Sequence, residues 1–168
     1  MKNIINQRRS IRAYDSNRIV SQEDLLEIIK AGMQAPSARN QQPWNFIVIR
    51  NQKIIAELKN VSKGGQAIED SRLVIALTMK KKAELVSPDF KLEDMSACIQ
   101  NMMLAAASLK IGSCWIGIAP IKKRMKAAAK IIKKDIECFA LLVLGYPKNP
   151  ESIKFINRFD ELKITYLD

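Results

Sequence analysis

"KLEDMSACIQNMMLAAASLKIGSCWIG", residues 91–117, decides what fold this chain can adopt. Met95, Ile99, Met102, Met103, Ala106 and Leu109 recur at helical spacing along Lys91–Lys110, with small residues on almost every side of them. A helix that is apolar most of the way round lies at the centre of a structure, not on its rim. Flexible methionines suit the irregular gaps of such a core. The helical pattern stops at Gly112. Two glycines then bracket Trp115, so Gly112–Pro120 reads as a loop or an irregular strand.

Towards the N-terminus lies "RLVIALTM" (Arg72–Met79), a buried strand, preceded by a break at Gly64–Gly65. "KIIAELKNV" (Lys53–Val61) reads as a short helix and "WNFIVIR" (Trp44–Arg50) as a strand. Ser21, with Asp24 three places on, opens a helix that buries Leu25, Ile28 and Ile29. It ends near Gly32–Gln34, ahead of Pro36. Towards the C-terminus, "IKKRMKAAAKIIK" is helical, opened near Pro120. "ECFALLVLGYP" (Glu137–Pro147) is a further strand. The tail, Lys148–Asp168, is polar and irregular, with "NRFDELKITYL" a candidate last strand. Short strands with helices of mixed length between them predict an α+β fold. The length predicts one domain spanning 1–168.

Composition removes whole classes of function. The chain has no histidine, which excludes a Ser–His–Asp or Cys–His relay and a histidine metal site. Cys98, Cys114 and Cys138 lack zinc-finger spacing. With no apolar run at the N-terminus to form a signal peptide, they read as free thiols in a reducing cytoplasm. No apolar run is long enough to span a membrane. An enzyme built from this chain would draw its reactive atom from a bound cofactor. The net charge of +11, from 28 Lys+Arg against 17 Asp+Glu, suits an anionic partner, either nucleic acid or a phosphorylated small molecule. It equally suits a solvated lysine-rich surface. No helix-turn-helix, RNA-recognition or KH motif appears, and neither GxGxxG nor GxxxxGK[ST] is present.

Three stretches could hold a ligand. In "RRSIR" (8–12), Arg8, Arg9, Ser10 and Arg12 form a cluster suited to phosphate, or a solvated basic N-terminus. In "APSARNQQPWNF" (35–46), Asn40 and the backbone around Ser37 suit the amide edge of a planar heterocycle, or simply a rigid turn. In "IGSCWIG" (111–117), glycine admits a close backbone approach to a ligand, or marks a helix stop with one buried aromatic.

These segments, with the late "LGYP" (144–147), occur in the order seen in the FMN-dependent nitroreductases, which the chain resembles over essentially its whole length. The resemblance implies a three-layer fold: a central, mostly antiparallel mixed sheet flanked by helices, in an intertwined homodimer. It implies bound FMN, NADH or NADPH as reductant, and ping-pong hydride transfer through flavin N5 to a nitroaromatic, a quinone or a similar small molecule. Flavin contacts are implied at Arg8, Arg9, Ser10, Arg12, Pro36, Ser37, Ala38, Asn40, Gln42, Trp115, Ile116 and Gly117, with Arg158 or Lys154 completing the phosphate site. Arg12 is implied beside N1/O2 of the ring, and Pro36–Asn40 is implied to arrive from the second subunit. No catalytic side chain, metal, nucleic acid or membrane is expected. The long helix is the expected centre of the dimer interface, with Met102 in it. The family's first glycine before G-S-C-W-I-G is Lys110 here, a cost if that position is left-handed. A flavin-binding protein without efficient turnover, or a basic nucleic-acid module, are the competing readings.

Overall fold

In the computed structural model, residues 2–152 and 154–167 are described. The strands β1 (Trp44–Ile49), β2 (Leu73–Met79), β3 (Gly112–Gly117) and β4 (Glu137–Gly145) form one sheet of order β1-β2-β4-β3. Every ladder is antiparallel. The parallel pairing is an isolated bridge, Ser10 to Ser113. Gly112–Pro120, expected to be a loop or an irregular strand, holds a regular strand in its first six residues.

The sheet is apolar on both faces because β2 and β4 lie at its centre, buried along essentially their whole length. Alternation sorts their side chains. Leu73, Ile75 and Leu77 join Leu142 and Leu144 on one face, where α2 (Gln22–Met33) and α4 (Lys91–Ser108) pack. Val74, Ala76, Leu141 and Val143 point to the other, against α3 (Gln52–Leu58) and α5 (Lys122–Ile132). A bulge at Leu77/Thr78 lets Phe139 and Ala140 share the α4 face. The short N-terminal helix α1 (Lys2–Gln7) packs on α4.

The Ser21 cap forms as expected: its Oγ accepts from Asp24 N at 3.0 Å. Other expectations are corrected. Gly64–Gly65 does not break the chain but lies in a 3-10 turn, Lys63–Ile68. Pro120 precedes α5 by a residue, the N-cap being Ile121. The described residues of "NRFDELKITYL" form a 3-10 turn, Glu161–Lys163, and no strand. The chain alone covers the apolar face of α4: Met95, Cys98, Ile99, Met102 and Ala106 are fully buried against α2 and the sheet. Met102 is therefore core, not interface. The opposite face, around Ala97, Asn101, Leu104 and Ala105, is only half-buried. No helix among the described residues is long and apolar enough to cross a membrane.

Candidate functional site

The N-terminal segment lies along β3. Ile11 N donates to Ser113 O at 2.9 Å, which extends the sheet by one bridge. A Cβ on Gly112 would stand 2.9 Å from Ile11, so glycine there is what lets the segment come in. Tyr14 anchors its far end, buried, with its hydroxyl donating to Ile11 O at 2.6 Å. Burial raises that hydroxyl's pKa well above the usual tyrosine range.

This anchoring gathers arginines. Arg8 and Arg9 line a cavity of about 310 Å³ together with Lys110, Gly112, Ser113 and Pro147. They also line an adjoining one of about 340 Å³ together with Gln100, Asn157 and Arg158. Arg9 Nε donates to Lys154 O at 2.9 Å and its Nη1 to Arg8 O at 2.7 Å. Its Nη2 is buried with no hydrogen-bond partner among the described residues. Arg8's pKa is lowered by burial, and further by the charges of Arg9 and Arg158. Arg8, Arg9 and Arg158 converge on the second cavity, one with an unmet donor, an arrangement chemically suited to an anion. Arg158 lines the cavity, whereas Lys154 contributes a backbone oxygen. Ser10 is exposed and lines neither cavity, and Arg12, also exposed, donates from Nη1 to Ser10 O at 3.3 Å.

Beyond the arginines, β3 carries Trp115, tilted against Phe139 with ring centroids 5.6 Å apart. Ile116 is buried in the α5 face. Gly117 closes the strand. Its carbonyl accepts from Arg124 Nη1 at 3.0 Å, and a Cβ built there meets nothing within 4 Å. That open side leaves room for a ligand beside the backbone.

The third segment stands elsewhere. Pro36 is exposed and Ala38–Asn40 form a 3-10 turn. Arg39, Asn40 and Gln42 have φ of 50°, 53° and 44°, a left-handed conformation in non-glycine residues. Side chains hold it in place: Ser37 Oγ accepts from Gln42 N at 3.0 Å, and Asn40 Oδ1 from Gln42 Nε2 at 2.8 Å. Ala38 N donates to Asp94 Oδ1 at 2.9 Å. Asp94 lies in the first turn of α4, whereas Ala107, at the last turn, lines the arginine cavity. Thirteen residues at 1.5 Å each put the two groups about 20 Å apart along that helix.

The sequence reading missed Gln41 and Asp94, and it took Lys110 only as a costly helix end, not as part of the cavity wall. Asp94 had a signal: a charge one turn ahead of Cys98, in line with Met102 a turn further on, falls on the apolar stripe, where it must have a partner. No His/Cys/Asp/Glu group among the described residues could hold a metal.

The sequence model of the Nitroreductase family matches residues 5–76 and 63–146. An Archaeoglobus fulgidus protein, provisionally named an NADH dehydrogenase/NAD(P)H nitroreductase, is 40% identical over 144 residues, covering 84% of this chain and 82% of that one. A provisionally named NADH oxidase of Clostridium acetobutylicum superposes with a TM-score of 0.90 at 38% identity, over 96% of this chain and 97% of that one. The FMN-dependent nitroreductase of Clostridium difficile R20291 superposes at 0.89 with 26% identity, over 100% and 99%.

Proposed function

The chain belongs to the nitroreductase family, and from that premise we propose that it is an NAD(P)H-dependent FMN oxidoreductase whose flavin phosphate sits on Arg8, Arg9 and Arg158. The observation that carries this reading is the buried, unpartnered Nη2 of Arg9 beside the depressed Arg8. Such a donor lacks only an acceptor, and a phosphate supplies several. When bound, FMN would supply the redox chemistry that links NAD(P)H to a nitroaromatic, a quinone or a similar acceptor.

The protein's own groups bind and orient. Ser10 adds a hydroxyl on the phosphate and ribityl side. Arg12, exposed and hydrogen-bonded to Ser10 O, would bring a positive charge to the pyrimidine edge of the ring and there favour negative charge on the flavin. The backbone at Trp115–Gly117 would run beside the ring, the open side of Gly117 giving it room. Ser37, Asn40 and Gln42 would offer side-chain donors and acceptors to the ring's edge, beside Ala38, whose N–H is taken by Asp94. No side chain has to move a proton, which suits a chain with no histidine.

Two features support a homodimer with shared sites. The arginine cluster and the 36–42 loop stand about 20 Å apart along α4, at opposite ends of the helix within one chain. A second copy related by a two-fold axis across the half-buried face of α4 brings the loop of one chain to the arginines of the other. The tail is also apolar without cover: Phe155, Phe159, Leu162, Tyr166 and Leu167 are exposed, Leu162 at 95%. Such a patch calls for a partner surface. All three cysteines are free and buried, in keeping with a reducing cytoplasm.

The test is the visible spectrum of the purified protein, followed by rapid mixing with NADH and with NADPH. A flavin band that bleaches within seconds and recovers with a quinone is the expected result. Absence of the band after reconstitution with FMN refutes the proposal. A band that never bleaches leaves a flavin binder without turnover. Sharing of sites is tested by subunit exchange between Arg8→Ala and Asn40→Asp dimers. In the heterodimer one site carries both defects and the other neither, so binding partly returns. Sites confined to one chain recover nothing.

A further inference from the structure

We infer that Asp94, acting through Gln41, is the positioning residue that holds the 37–42 loop in its ligand-receiving shape, an inference that rests on the reading of that loop as a flavin contact. Asp94 is buried, a place where a carboxylate is found only with partners. Its contacts are not those of a helix cap. Oδ1 accepts from Ala38 N at 2.9 Å and Oδ2 from Gln41 Nε2 at 2.6 Å, so both oxygens serve the loop and neither bond given to the carboxylate goes to its own helix. Gln41, itself buried, passes the constraint on. Its Nε2 also donates to Ser87 O at 2.9 Å, and its Oε1 accepts from Ser87 N at 2.9 Å. The loop, the first turn of α4 and the segment before it are thereby locked together.

The polarity of the lock is fixed. Rotating the Gln41 amide would set its NH2 against Ser87 N, donor to donor. Gln41 therefore must present Nε2 to residue 94, and Ala38 presents N–H to the same residue. Only a side chain with two acceptors satisfies both, and asparagine fails in either orientation. The lock also has strain to hold. Arg39, Asn40 and Gln42 are left-handed within four residues, a run that reverts to ordinary backbone unless its surroundings dictate otherwise. Asp94→Asn exchanges one oxygen for NH2, so at least one of the two loop contacts must fail while the side-chain volume is kept.

The experiment compares wild type, Asp94→Asn and Gln41→Met. Hydrogen exchange is followed by peptide in the flavin-free protein, and affinity is measured for FMN and for riboflavin. The expected result is faster exchange in both variants across 37–42, with Leu73–Met79 unchanged. Both flavins should lose affinity by the same factor, about ten- to a hundredfold, the loss of one to two charge-assisted hydrogen bonds. The equal loss separates the ring end of the ligand from the phosphate end. Unchanged loop exchange overturns the inference. So does exchange that rises throughout the sheet in both variants, since Asp94 would then serve only stability. Faster loop exchange with both affinities within about twofold of wild type also overturns it. Should wild type bind no flavin, the FMN assignment fails, while the exchange comparison still decides whether Asp94 sets the loop.

Discussion

Lys110 stands where its side chain is a burden. α4 ends with two backbone bonds, Ile111 N to Ala106 O at 2.8 Å and Lys110 N to Ala107 O at 3.1 Å. This is the Schellman arrangement, in which the donor of the shorter-range bond, here Lys110, takes the left-handed conformation. Lys110 has φ 58° there. For an L-residue with a Cβ that conformation costs about 1–2 kcal/mol. Glycine avoids it but carries more freedom in the unfolded chain, an offset of about 0.5–1 kcal/mol. Lys110→Gly should therefore stabilise the flavin-free protein by about 0.5–1 kcal/mol, with both backbone bonds retained. In a chain of this size that raises Tm by about 1–4 °C. Lys110→Ala keeps the Cβ and should gain nothing, so the pair isolates the backbone term from loss of charge beside Arg8. Melting is followed by circular dichroism at one fixed protein concentration. Lys110→Gly melting at or below wild type, or Lys110→Ala gaining as much, would refute the reasoning.

Arg8→Ala should weaken FMN about ten- to a hundredfold while leaving riboflavin affinity unchanged; fluorescence titration checks this, and equal losses for both would remove the phosphate from Arg8. Gly32→Ala should destabilise by about 1–3 kcal/mol in urea melts, because the added Cβ would stand 2.6 Å from Met102 Cγ in the α2–α4 contact; a neutral effect would mean the helices can part freely. Burial pushes the Cys98 and Cys138 thiols up to about 12. Above their ordinary 9.0 the unfolded chain ionises these thiols and the folded chain does not, so stability is lost as pH rises. The loss is about 1.4 kcal/mol per thiol for each unit. Denaturation midpoints should fall from pH 9 to 11, less steeply in Cys98→Ala/Cys138→Ala, and an identical slope would count against the buried thiols as its source.

Where one physical signal dominated, the sequence was enough. Leu73–Met79 and Phe139–Leu144 are so densely apolar that no other reading competes, and the Ser21 cap follows from side-chain chemistry alone. The Lys110 cost was legible too, as a lysine after a helix where a glycine belongs. What escaped depends on distant partners. The regular pairing of β3 is imposed by β4 along Gly112–Gly117 and not by its own composition. Met102 looked free to face another subunit because the sequence does not show α2 arriving over it through Gly32. The arginines at 8 and 9 were visible, but their convergence with Arg158 needed the fold. Asp94 and Gln41 are tied across 53 residues, beyond the reach of any local pattern.

The strand order has a consequence for how the chain comes into being. The central pair, β2 and β4, joins residues from 58 (Met79 to Glu137) to 71 (Leu73 to Leu144) positions apart. The β1–β2 ladder can form early, but β4, the inner neighbour of β2, is synthesised only after α4, β3 and α5. Until then the apolar faces of β2 and α4 have no sheet to close on, and the entropy of a long loop opposes their pairing. Folding should therefore be slow, late and all-or-none. A chain ending before Glu137 would expose its future core, so a nascent chain or a truncation product is a natural client for chaperones and proteases.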